Sequence, residues 1–158
     1  MQYVGDSVMA VFGAPDPQPE HAARAVRCAL AMHRRQAELD RVWAAQGLPA
    51  FGLGIGLSTG EVAAAYLGSD ERLEYTLVGD TVNLAQRLQD LARPAGTTVL
   101  SAATVRAARG TWPLEAMGEC LVKGRTAPVV AYRLPPGVPS APFPAAVPAG
   151  IAAAGESR

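Results

Sequence analysis

The sequence predicts an α+β fold, a largely antiparallel sheet with helices on one face. Three observations carry this. Apolar runs with strand character come in neighbouring pairs separated by Gly-Asp or Gly-rich turns. Two segments, near 20–46 and 81–92, instead place apolar residues at helical spacing. The two patterns interleave as strand-strand-helix-strand-strand-helix-strand, an order that suits hairpins covered by helices. A ferredoxin-like core fits that order if a strand and helix are missing from the front.

Each element has its local reason. Tyr3-Val4, the turn at Gly5-Asp6 and the run from Val8 to Phe12 read as a β-hairpin. Gly at the first central position of a two-residue loop suits a type II′ turn. The prolines of "GAPDPQPEH" break the second strand, and a helix starts near Glu20. Ala22, Ala25, Val26, Ala29 and Met32 form its apolar stripe, and Gly47 ends it. "FGLGIGLSTG" reads as a buried strand whose glycines at 52, 54 and 56 leave one face without side chains, so that another backbone or a ligand comes close. "GEVAAAYLG" reads as its return strand. "EYTLVGDTVNLAQRLQDLA" gives a short strand, a turn and a helix from about Thr81 to Ala92. "TTVLSAATVRAA" gives a strand and a short helix capped by Ser101. "WPLEAMGECLVKG" and "APVVAYRL" close the fold as strands. From Pro135 the chain turns rich in Pro, Ala and Gly and reads as a linker or disordered tail, leaving 1–134 as the domain and 135–158 outside it.

The bulk numbers exclude some partners. At 158 residues, 49% apolar and 18% charged, this is ordinary globular composition with enough chain for one core. Lys+Arg and Asp+Glu balance at 14 each, so no net positive charge recommends nucleic acid or an anionic membrane. No apolar run reaches the ~18 residues of a membrane span. Cys28 and Cys120 have neither metal-ligand nor disulfide-framework spacing. With no signal peptide apparent, the expected location is cytoplasmic, with both thiols reduced.

Two places could carry chemistry. Asp6 puts a carboxylate on a rigid hairpin tip, where it could help hold Mg²⁺. On the turn alone the plainer reading is a local turn residue. Asn83 and Arg87 lie four apart on one helix face, away from Leu84, Leu88 and Leu91. A neutral amide and a planar cationic fork together suit charge building on a transferring phosphoryl group, although such a pair is also ordinary on a solvated helix.

The stretches "YVGDSVMAVFGAP", "HAARAVRCALAMH", "GLGIGLSTGEV", "EYTLVGDTVNLAQRLQDLA" and "VKGRTAPVVAYRL", in this order, resemble the class III adenylate/guanylate cyclase catalytic domain over about residues 1–134. "GDTVNLAQRL" is the most specific of them. The resemblance implies a nucleotide cyclase fold of the ferredoxin-like type. It implies formation of a cyclic nucleotide and pyrophosphate from a nucleoside triphosphate with two divalent ions, Mg²⁺ or Mn²⁺, in intracellular signalling. It implies head-to-tail dimers with sites at the interface. Asp6 then matches the second of two metal-binding aspartates, Asn83 and Arg87 the transition-state pair, and Lys123 a lysine on the terminal phosphates. Asn83, Arg87 and Lys123 serve one protomer's site while the metal carboxylates come from the other. Thr76 and Gln2 match the two base-reading positions. Thr76 is typical of one bacterial adenylate cyclase subclass and favours ATP over GTP. Gln2 is neither the Lys of adenylate cyclases nor the Glu of guanylate cyclases.

The chain departs from the family at its front. The strand with the first metal aspartate, and the helices after it, have no counterpart. Asp16 and Asp70 lie in the wrong segments to replace that aspartate. The resemblance therefore implies an N-terminally shortened domain, poorly active alone and with exposed apolar surface where the strand belongs. The alternative is a non-catalytic cyclase-homology module that dimerises or binds nucleotide. A further form of it complements a full-length cyclase protomer.

Overall fold

The computed structural model describes residues 2–69 and 72–138. The elements run β1 (Gln2–Val4), β2 (Ser7–Met9), α1 (His21–Ala45), β3 (Ile55–Leu57), β4 (Ala63–Ser69), β5 (Arg72–Val78), α2 (Asp80–Asp90), β6 (Thr98–Ser101), α3 (Ala102–Ala108), β7 (Glu115–Cys120) and β8 (Val129–Leu134). The α+β class holds, with antiparallel pairing predominant. The expected tail lies, beyond Val138, outside the described residues.

The central sheet has the order β3-β6-β8-β7. β8 runs antiparallel to both β6 and β7, while β3 lies parallel to β6. β1–β2 and β4–β5 form two separate hairpins. "GEVAAAYLG" therefore does not return along the glycine-rich strand. β4 and β5, seven residues each and adjacent in sequence, pair along their whole length from Ala63↔Val78 to Ser69↔Arg72. Three-residue β3 takes β6 as its partner instead.

The helices lie on both faces of this sheet, where one covered face was expected. Leu100 and Leu134 pack with Ala22, Val26 and Leu30 of α1 and Ala108 of α3. Their strand neighbours Val99 and Ala131 pack with Leu88 and Ala92 from the α2 segment. Successive strand residues point to opposite faces, so these are two cores with β6 and β8 between them. Every residue of β6 is buried, as a strand covered on both sides requires.

Two glycines of "FGLGIG" explain how α2 sits. A Cβ at Gly56 would collide with the Ala85 carbonyl and the Gln89 amide, and one at Gly54 would lie 2.9 Å from the Ala92 carbonyl oxygen. The side-chain-free face thus admits another backbone, that of α2, rather than a ligand.

α1 ends as its sequence predicts. Gly47 has φ +72, its amide donates to the Ala44 carbonyl at 3.1 Å and the Leu48 amide donates to Trp43 at 2.9 Å, completing a Schellman motif. Its buried stripe is Ala22, Val26, Ala29 and Leu30, while Met32 is exposed. At about 100° per residue His33 continues that stripe and Met32 falls off its edge. Accordingly His33 Nε2 reaches Thr98 Oγ1 of β6 at 2.9 Å. At α3, the Ser101 hydroxyl accepts from the Thr104 amide at 3.2 Å, the expected cap.

Candidate active site

α2 starts directly after β5 through Gly79, whose φ of 153° few side chains tolerate. Leu88 is fully buried and Leu84 and Leu91 pack beside it. That fixes the helix rotation. Asn83 is exposed and Arg87, at the edge of that apolar stripe, is partly exposed, and Arg87 Nη1 lies 3.7 Å from Asp90 Oδ2, one turn away. So loose a surface pair leaves the guanidinium available.

The first turn of α2 is tied on two sides. Thr81 Oγ1 donates to the Glu61 carbonyl at 2.8 Å, fastening it to the segment between β3 and β4. Arg125 Nη1 lies 2.9 Å from Asp80 Oδ2, fastening it to the loop between β7 and β8. That loop contains Lys123. The Arg125 amide donates to the Val122 carbonyl at 3.1 Å, and Gly124 has φ +84. This is a β-turn with glycine at its third position, and Lys123 occupies the second. Val122 is buried and Lys123 is exposed, so the turn stands on an apolar foot with the amine at its tip. Lys123 is the sole lysine in the chain, the other 13 basic side chains being arginine. Both the single lysine and the Asp80–Arg125 pair escaped the sequence reading. A residue count would have exposed the first. Nothing in the sequence pairs residues 80 and 125.

Asp6 sits at the second position of the two-residue loop between β1 and β2, after Gly5 at φ +61. Asp6 itself has no positive φ, which fits the expected type II′ turn. The carboxylate is exposed. No hydrogen bond or ion pair among the described residues joins it to Asn83, Arg87 or Lys123. Gln2 lies on β1 opposite Met9, and Thr76 lies on β5 opposite Ala65. The structure thus brings Asn83, Arg87 and the Lys123 turn to one helix and leaves Asp6 on a separate hairpin.

The described residues do not by themselves fit a two-metal centre. Among them no group of three or more His, Cys, Asp or Glu side chains is placed to share an ion. Asp6 offers one carboxylate, and two divalent ions need more.

Comparison with known proteins shows which family the chain belongs to. Residues 1–135 match the family "Adenylate and Guanylate cyclase catalytic domain". The chain belongs to this family. Adenylate cyclase 1 of Rhizobium meliloti is 38% identical over 135 residues, which cover 85% of this chain and 20% of that protein. The chain spans 18–20% of the length of curated relatives such as this one. The adenylyl cyclase CyaB from P. aeruginosa superposes with a TM-score of 0.81 at 31% identity, over 89% of this chain and 73% of that one. The guanylate cyclase domain of RhGC from Catenaria anguillulae, solved in complex with GTP, superposes at 0.66 and 30% identity, over 79% and 65%. Adenylyl and guanylyl cyclases thus both stand among the neighbours of this cyclase domain.

A concave feature lies away from these residues. A cleft of about 460 Å³ is bounded by Leu30, His33 and Asp40 of α1, by Phe51 and Leu53, and by residues 136–138. None of the candidate site residues lines it. Burial pushes the His33 imidazole below its ordinary value, with the Thr97 backbone opposing in part. Burial raises the Cys28 thiol, and Cys28 and Cys120 are both unbridged. Among the described residues no helix is long and apolar enough to cross a membrane.

Proposed function

We propose that this cyclase domain takes part in converting ATP to 3′,5′-cyclic AMP and pyrophosphate, at a site shared between two head-to-tail protomers in the cytoplasm. The 3′-hydroxyl oxygen forms a bond to the α-phosphorus as the bond from that phosphorus to the bridging oxygen of pyrophosphate breaks. The hydroxyl releases its proton to solvent water, and pyrophosphate leaves with the electron pair of the broken bond. Asn83 orients the ribose. Arg87 faces the charge that builds on the α-phosphoryl oxygens, where a planar guanidinium contributes most. Lys123 holds the terminal phosphates as a point charge. Divalent ions, Mg²⁺ or Mn²⁺, would supply further charge neutralisation when bound, with Asp6 as this chain's contribution to holding them.

The observation that carries this reading is that Asn83 and Arg87 share α2 with Asp80, whose ion pair with Arg125 brings the Lys123 turn to the same helix. Asp6 lies on a separate hairpin, with no hydrogen bond or ion pair to them among the described residues, which supports a site completed by a second protomer. Thr76 supports adenine, since its hydroxyl accepts a hydrogen bond from the exocyclic amine, and Gln2 is compatible with either base.

The lone carboxylate favours one alternative. As a complementing module, the chain supplies Asn83, Arg87 and Lys123 to a partner that holds both ions. Product formation from ATP and from GTP, each with Mg²⁺ and Mn²⁺, tests the base assignment. Cyclic AMP in clear excess is expected. Cyclic GMP in excess would reverse it.

A further inference from the structure

The ion pair between Asp80 and Arg125 joins two segments 45 residues apart in sequence, and both carry candidate site residues. Asp80 opens α2, three residues before Asn83. Arg125 closes the turn that carries Lys123. The pair is asymmetric. The Asp80 side chain is 71% exposed and that of Arg125 only 33%. Arg125 Nη1 is fully shielded from solvent and makes no hydrogen bond, so Asp80 at 2.9 Å is its counter-charge without being in line for a hydrogen bond. Removing the carboxylate would leave a shielded cationic nitrogen uncompensated. The turn's other anchor is the buried Val122 side chain, at its first position.

We propose that Asp80 and Arg125 are positioning residues, a clasp that holds the Lys123 turn against the first turn of α2. Lys123, Asn83 and Arg87 then meet a nucleoside triphosphate as one rigid unit. The clasp touches no substrate atom. It sets how far the Lys123 amine stands from the phosphates that Arg87 approaches from the same helix. The role in substrate binding rests on the triphosphate reading above, whereas the clasp itself does not.

The single lysine makes the test local. In the 158-residue chain a lysine-specific endoprotease has one bond to cut, Lys123–Gly124. Asp80→Asn, Arg125→Gln and the double variant are each expected to be cut about fivefold faster than wild type. The double should be cut no faster than either single, because the two residues act as one unit. Asp80→Glu, which keeps the charge, should retain the wild-type rate. In the second arm, affinity for ATP should fall about fivefold in the same three variants while affinity for AMP stays unchanged. Asp80→Glu again restores it. Cutting rates equal to wild type, or effects that add in the double variant, would overturn the clasp. Faster cutting with ATP and AMP affinities falling together would overturn the positioning role, since general loosening weakens both. Wild-type chain that holds ATP no more tightly than AMP would sink the triphosphate role of Lys123. The cutting arm contains no nucleotide and decides the clasp regardless.

Discussion

Arg87 and His33 show how differently two polar residues are used in one domain. Among the described residues Arg87 is held only by a 3.7 Å surface pair with Asp90, so it contributes little to stability. Under conditions that give cyclic nucleotide, Arg87→Ala is expected to lower kcat by roughly 10²-fold. Its melting temperature should stay within about 2 °C of wild type. Arg87→Lys should recover little of the rate, because an ammonium lacks the planar fork. His33, by contrast, is used for packing and for its bond to Thr98. Its folded-state pKa lies below the ordinary 6.5, so the unfolded chain takes up the proton first as pH falls. This contribution to stability is therefore fully present above about pH 6.5 and is lost as pH drops through the lowered folded value. The urea midpoint of wild type should fall between pH 7.5 and pH 5 more than that of His33→Gln, whose amide keeps a partner for Thr98. Equal falls would contradict the assignment.

At the scale of elements, the closest fit in the fold is α2 on β3. The Gly56 position has no room for a methyl group, because the atoms it would meet are helix backbone, which cannot swing aside. Gly56→Ala should cost about 3 kcal/mol or more in urea unfolding, and Gly54→Ala less. Gly52→Ala, where a Cβ would meet only the Ala95 methyl at 3.4 Å, should cost least. The alternating glycines were legible in the sequence as a bare face. That a helix backbone fills it was not, since glycine spacing permits ligand or chain alike. Local signals read well. The Gly5-Asp6 turn, the Gly47 stop and the Ser101 cap each depend on a few neighbouring residues, and each formed. The β4 pairing and the two-faced sheet were misread because they depend on residues far apart in sequence. β6 could have given warning, since "TVLS" lacks the alternation of a half-exposed strand.

At the scale of the whole molecule, the family was legible because its motifs are short, ordered and spaced by the fold. Asn83 and Arg87 could be placed on one face from their separation alone. The ion pair between Asp80 and Arg125 could not, because a helix start and a distant loop meet there only after the sheet has formed. Asp6 was legible as a hairpin carboxylate, and the hairpin that carries it is not hydrogen-bonded to the central sheet. The central claim is that α2 and the Lys123 turn supply one half of a shared nucleotide cyclase site. Its most direct test mixes this chain with a full-length cyclase protomer whose own Asn–Arg pair has been replaced by alanine, and reads cyclic AMP made from ATP. The account predicts activity above that of either component alone, abolished by Asn83→Ala in this chain and untouched by Asp6→Asn. No gain on mixing, or a gain that survives Asn83→Ala, would contradict it.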